Sequence, residues 1–290
     1  MIDPRHSGQP IWPRALLYLA LSLFMAFYLA PLYVMLANSF KPLSEIRAGG
    51  LLTLPEAWTV EPWLTAWSSA AIGVEATGLK PYFLNSAVMV IAAVAISTLL
   101  GALNGYVLSK WRFRGAELCF GLMLFACFIP FQIVLIPMAR VLGMLDLAGT
   151  VSGLVLVHVI YGLSFTTLFF RNYYASFPDD LVRAALIDGA GFFTLFRRIL
   201  LPNSGPVIVV TVIWQFTNIW NDFLFGVSFA DADSQPLTVA LNNLVNSSTG
   251  VKEYNVHFAG AILAAFPTLL VYVLAGRYFV RGLLAGAVKG

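Results

Sequence analysis

The chain has 290 residues, of which 59% are hydrophobic and 11% charged, against about a quarter charged in soluble domains. Together with a mean hydropathy of +0.82, this excludes an ordinary soluble enzyme and indicates an integral membrane protein. A net charge of +3 is too small for a nucleic-acid surface and is better read as a signal of orientation.

Arg5 and Arg14 give the N-terminus the look of a basic signal-peptide start. However, the apolar run 15–37 is longer than a signal core and has no small-x-small cleavage site after it, so it reads as a retained span. Further apolar runs at 82–108, 116–142, 151–170, 207–229 and 258–276 bring the total to six, each near the ~20 residues a membrane helix needs. Pro31, Pro130, Pro137 and Pro267 lie in or near these runs, where neighbouring helices can re-satisfy a freed carbonyl. Asn85 and Ser86 are expected to cap the second span. Cys119 and Cys127 share one helix about 12 Å apart, too far for a disulfide.

With the N-terminus placed in the cytoplasm, only Lys41, Arg47, Lys80, Arg140 and Lys252 of the 17 lysines and arginines fall outside. That asymmetry puts both termini in the cytoplasm. Two long connections, 40–81 and 226–257, then lie outside; the second carries Asp231, Asp233 and the turn Ser234-Gln235-Pro236. They suit either a surface for a soluble partner or lids over helix ends.

The cytoplasmic loop 171–201 carries its own start and stop signals. Pro178 suits a first helical position, Asp179 and Asp180 the positive end of a helix dipole, and Gly189 a left-handed cap. The roughly eleven residues between, about 16 Å of helix, cannot span. Phe192, Phe196 and Ile199 form a second apolar face. Ala184, Ala185, Gly189 and Ala190 allow another protein to approach the backbone closely, and Asp188 can brace the turn. A helix lying on lipid fits less well, because the stretch carries three carboxylates.

This stretch resembles the EAA loop of ABC-importer permeases, E-A-A-x-x-D-G-A followed by an aromatic residue and L-P. Ala184, Ala185, Asp188, Gly189, Ala190, Phe196 and Pro202 match, while Arg183 stands where the family has glutamate. Trp220-Asn221-Asp222-Phe223 and the ending Tyr278–Leu283 with Gly286–Gly290 resemble maltose-permease-type carbohydrate importers; Gly101–Tyr106 and Gln235–Asn243 look most like their glucose/mannose branch.

The resemblance implies a type I ABC-importer permease: an all-α integral membrane domain over residues 1–290, with six transmembrane helices and a short cytoplasmic coupling helix. That helix would dock on a separate ATPase, and the tail at Lys289 and Gly290 would reach between two ATPase subunits. The implied partners are a second permease, two ATPases that hold ATP and Mg, and an extracytoplasmic sugar-binding protein. No cofactor is expected on this chain. The implied location is a bacterial inner membrane, and the implied cargo a monosaccharide such as glucose or mannose, moved by alternating access. The reversed charge at Arg183 would call for an acidic or neutral ATPase surface.

Polar residues inside spans are costly and ask for a reason. Thr211, Trp214, Gln215, Asn218, Asn221 and Asp222 fall within about a third of the circumference of the fifth span. Amides, a carboxylate and an indole are sugar-binding chemistry, and they equally suit hydrogen bonds between helices. Gln132, between Pro130 and Pro137, is a second pathway candidate; Asn104, between Gly101 and Gly105, is expected to pack. His158 has no second ligand at helical spacing, which argues against a metal. The chain lacks G-x-x-x-x-G-K-[ST], H-E-x-x-H and G-x-S-x-G, so it is read as a transport subunit and not an enzyme, with its energy supplied from elsewhere. The alternative is an ion-gradient-driven secondary sugar transporter, which would favour internal repeats and midplane carboxylates.

Overall fold

A computed structural model describes residues 11–111, 113–246 and 252–287. The described residues form helices and turns, with two isolated bridge pairs, Ile72–Glu75 and Gly149–Ala230. They divide into two compact units, one from the described residues up to 78 together with 252–263, the other from 79–246 together with those from 264 on.

The first unit holds α1 (Ile11–Ser39), α2 (Leu43–Arg47), α3 (Glu61–Ser68) and the opening turns of α13 (Tyr254–Ala287). The apolar length of α1 is exposed nearly throughout, as expected of a helix that meets lipid or another membrane protein. Past its end the chain closes around Lys41, which is fully buried. The Lys41 ammonium donates to the Gly50 carbonyl and to Thr53 Oγ1 at 3.1 Å, with Glu45 3.7 Å away. Asn255 Nδ2 donates to the Lys41 carbonyl at 3.1 Å, tying α13 to the same point. Lys41→Met leaves the Gly50 carbonyl and the Glu45 carboxylate without their cation, so it is expected to destabilise the loop by about 1–3 kcal/mol. Faster proteolytic nicking within residues 43–56 would report it.

The second unit is built on α4 (Lys80–Lys110) and α7 (Val151–Ala175). Gly101 and Gly105 let these two helices touch: a Cβ at Gly105 would sit 2.6 Å from the Arg171 backbone nitrogen, and one at Gly101 would meet Thr166. Small residues are the usual means of close approach in membranes, where packing and not water exclusion drives association. Asn104 Nδ2 reaches Thr167 Oγ1 at 3.3 Å across the same contact. Gly162 of α7 likewise makes room for Gln215 of α10 (Gly205–Trp220), whose amide donates to Ser97 of α4 at 2.7 Å. One hydrogen bond thus joins α4 to α10 over the face of α7.

Among the described residues, four helices are long and apolar enough to cross a membrane: α1, α4, α7 and the 254–276 part of α13. The number reaches six if two bent pairs count as one span each. The run 116–142 is not a straight span. It divides into α5 (Ala116–Cys127) and α6 (Phe131–Met144), bent by 104°. Pro130, at ψ 126°, lacks the N–H that would continue the helix and takes the position just before α6.

The run 207–229 divides as well: α10 ends at Trp220, and α11 (Leu224–Phe229) follows after Asp222. Asn85 and Ser86 do not cap α4, which starts five residues earlier at Lys80. Instead Asn85 donates to the carbonyls of Asp233 (2.8 Å) and Gln235 (3.1 Å), and Ser86 Oγ accepts from the Leu237 N–H at 2.8 Å. They clamp the turn before α12 (Leu237–Asn246) onto α4.

Candidate functional site

Between α7 and α10 the chain makes a compact knuckle. Helix α8 (Asp179–Ile187) follows Pro178, which occupies the capping position and not the first helical one, because its ψ of 121° is extended. Asp179 and Asp180 fill the first turn, where the helix dipole favours carboxylates. Gly189, at φ +79°, ends the helix. Its N–H donates to Leu186 O at 3.1 Å and that of Ala190 to Ala185 O at 2.9 Å, which satisfies two of the end carbonyls.

Helix α9 (Phe192–Leu195) and a π-turn (Phe196–Leu200) follow. Leu201 N–H reaches back to Phe196 O at 2.9 Å, a register shift that re-aims the chain toward α10.

The knuckle has two faces. Val182 and Ala185 of α8, with Leu195, Phe196 and Leu200, are buried in a cluster with Ala102 and Tyr106 of α4 and Phe170 and Tyr174 of α7. The Tyr106 ring stacks on Phe196 (5.5 Å, 19°) and lies 4.8 Å from Phe192, and its hydroxyl donates to Phe192 O at 3.2 Å. Lys110 Nζ donates to Phe177 O (2.8 Å) and pairs with Asp179 (2.6 Å), while Tyr174 and Ser204 are joined at 2.8 Å. On the other face Leu181, Arg183, Leu186 and Ile187 are exposed, Ile187 by 86%. The element is fastened to two long helices beneath and presents above them Leu181, Leu186 and Ile187 with Arg183, flanked by the exposed carboxylates Asp180 and Asp188.

A second feature is a cavity of about 360 Å³, walled by the α5–α6 bend, α7, α10 and α11. Trp214 lies against Phe165 at 4.5 Å, and Phe225 sets its edge toward His158 (5.4 Å) and Tyr161 (5.3 Å). Asp222 accepts from the N–H groups of Phe225 (3.1 Å) and Gly226 (3.2 Å), starting α11. Thr238 Oγ1 donates to the Asp222 carbonyl, so α12 is anchored at the same residue.

Residues 93–284 match the family described as binding-protein-dependent transport system inner membrane component. The chain belongs to this family. Over 276 residues it is 32% identical to the diacetylchitobiose uptake system permease of Streptomyces coelicolor, covering 95% of this chain and 89% of that one. It is 30% identical over 291 residues to the glucose import system permease of Saccharolobus solfataricus (97% and 98%). A chain from the crystal structure of a bacterial ABC transporter that imports the acidic polysaccharide alginate shares the fold. That likeness has a TM-score of 0.82 at 19% identity, over 96% of this chain and all of the other.

In this inner membrane component the sequence candidates separate into groups. Arg183, Ala184, Ala185, Asp188, Gly189, Ala190, Phe196 and Pro202 all fall in or next to the knuckle, but Ala185 and Phe196 face its base and not its surface. Lys289 and Gly290 lie outside the described residues. Trp214, Gln215, Asn218 and Asp222 line the cavity. Thr211, Asn221 and Gln132 do not: Thr211 is buried in the bundle, Asn221 is exposed and bonds back to Thr217 O at 2.8 Å, and Gln132 is exposed on α6.

Sequence reasoning missed Tyr106, Lys110 and His158 as site residues. For Tyr106 and Lys110 a signal existed in their place at the end of an apolar span, where a buried ring and a last-turn cation meet whatever loop follows.

Proposed function

We propose that the chain is one of two permease subunits of a bacterial carbohydrate ABC importer, with both termini in the cytoplasm. The observation that carries this reading is the two-faced knuckle: an exposed Leu181, Arg183 and Ile187 surface over a base fastened to α4 and α7. A separate ATPase that grips α8 and moves on nucleotide binding displaces both helices, because the aromatic cluster leaves little slack between them. Nucleotide then biases the permease toward one of two conformations by its differential affinity for them. ATP and Mg sit on the ATPases, this chain binds no cofactor, and a sugar-binding protein delivers cargo at the far side. Arg183, reversed in charge from the family's glutamate, takes an acidic or neutral position on the ATPase.

The carbohydrate assignment is supported by the functions named for the relatives, diacetylchitobiose uptake and glucose import. The cavity supports a small cargo such as glucose or mannose, with Trp214, Gln215, Asn218 and Asp222 along the pathway. The test is to purify the chain with its partner permease and ATPases in lipid and to add the sugar-loaded binding protein. ATP hydrolysis is expected to rise several-fold over that with the empty binding protein. No co-purifying ATPase, or hydrolysis indifferent to sugar, contradicts the reading.

A further inference from the structure

His158 is the one side chain of the cavity wall whose buried polar atom stands without a hydrogen bond among the described residues. It is 5% exposed, and its Nε2 lies 3.7 Å from Asp222 Oδ2, beyond hydrogen-bond reach. Asp222 Oδ2 accepts the Phe225 and Gly226 N–H groups, Oδ1 has a 3.4 Å contact with the Phe225 N–H, and the Leu224 N–H also bonds to the carboxylate, which leaves one of its roughly four acceptor positions open. The wall thus holds an imidazole with capacity to donate beside a carboxylate oxygen with capacity to accept. Buried polar atoms left this way are rare, and a polar gap of this width is where a bridging group sits.

A hydroxyl is the small group that donates to a carboxylate and accepts from an imidazole N–H at once. The same cavity is lined by the Trp214 indole, which is held by Phe165 at 4.5 Å and by Phe169 edge-on at 5.7 Å, a braced apolar plate that suits the C–H face of a sugar ring. At about 360 Å³ the cavity sits at the low end of the range for small-molecule pockets, roughly 300–1,000 Å³. That is room for one sugar ring.

We propose that this cavity is a single-ring sugar subsite of the present chain, in which the His158–Asp222 pair reads one ring hydroxyl and Trp214 carries the apolar face. The proposal rests on the carbohydrate reading above and adds that this subunit itself discriminates the cargo.

The test uses the complete importer in proteoliposomes, supplied with D-glucose, D-mannose or D-xylose and with the single-deoxy analogues of whichever is taken up. For one analogue the wild type is expected to show kcat/KM for uptake at least about tenfold below the parent sugar, the worth of one lost hydrogen bond. His158→Leu is expected to lower uptake of the parent by about tenfold and of that analogue by less than about twofold, so the ratio collapses. The binding protein is the same in both preparations, so the change in ratio belongs to this chain. His158→Gln, which keeps a donor, is expected to give an intermediate ratio and serves if the Leu variant does not assemble. A ratio that survives both substitutions overturns the subsite and leaves His158 a packing residue. A wild type that accumulates none of the three sugars overturns the monosaccharide reading, and the subsite with it.

Discussion

Gly189→Pro is expected to abolish transport while the chain still inserts and accumulates in the membrane. Gly189 holds φ +79° and donates its N–H to Leu186 O. Proline fixes φ near −65° and has no N–H, and it pushes the preceding Asp188 out of its near-helical conformation. The substitution therefore removes the end of α8 at a cost of about 3 kcal/mol or more, and with it the alignment of Ala185 and Ala190. Gly189→Ala is the informative control. A Cβ there meets nothing within 4 Å, so only the left-handed backbone resists, at about 1–2 kcal/mol, and much of the transport activity should remain. Ala185→Trp attacks the same element from below, since Ala185 is buried in the cluster with Tyr106 and Phe196 and an indole there lifts α8 off its base. Uptake and ATPase co-purification at wild-type level in both Gly189→Pro and Ala185→Trp would show that the knuckle transmits nothing.

The second large effect is expected from Gly105→Val, which acts on folding and not on coupling. The new Cβ falls 2.6 Å from both the Arg171 nitrogen and the Phe170 Cβ, and 2.8 Å from the Phe170 carbonyl carbon. Backbone atoms in a helix cannot step aside, so α4 and α7 must part. Overpacking of this kind costs about 1–3 kcal/mol and occasionally more; a β-branched residue against main chain belongs at the upper end. Because Tyr106 is the next residue, its stack on Phe196 is disturbed as well. A fall of several degrees or more in the melting midpoint in detergent, with poor recovery of assembled complex, is the expected result. Gly121→Ala and Gly143→Ala provide the contrast: neither Cβ meets anything within 4 Å, and alanine favours a helix by about 1 kcal/mol over glycine. Equal melting of Gly105→Val and wild type would contradict the close approach of α4 and α7.

These two predictions also mark what the amino-acid order makes legible. Apolar length announces α1, α4 and α7, and Pro178, Asp179, Asp180 and Gly189 announce α8 because helix ends are governed by local hydrogen bonding. The break at Pro130 was half legible: a proline predicts a lost hydrogen bond, but a 104° turn depends on what packs around it. Asn85 and Ser86 were misread as caps because their partners lie about 150 residues away. Nothing local reveals such a contact. The same holds for the polar stripe read across the fifth span, where periodicity placed six residues together but only Trp214, Gln215, Asn218 and Asp222 border the cavity, and Asn221 and Asp222 lie past the end of α10. Which of them bond within the bundle, as Gln215 does with Ser97, and which border space, as Asn218 does, follows from the neighbouring helices. His158 drew attention only as an absent metal site, since its pairing with Asp222 joins residues 64 positions apart.

The central claim, that α8 receives force generated by another protein, is tested most directly by sugar accumulation in two sets of vesicles. One set carries the full importer with the binding protein outside and ATP on the ATPase side; the other carries this chain alone or with its partner permease. Accumulation against a gradient is expected only in the first set, and there only while ATP is hydrolysed. Accumulation by the permeases without the ATPases would contradict the account.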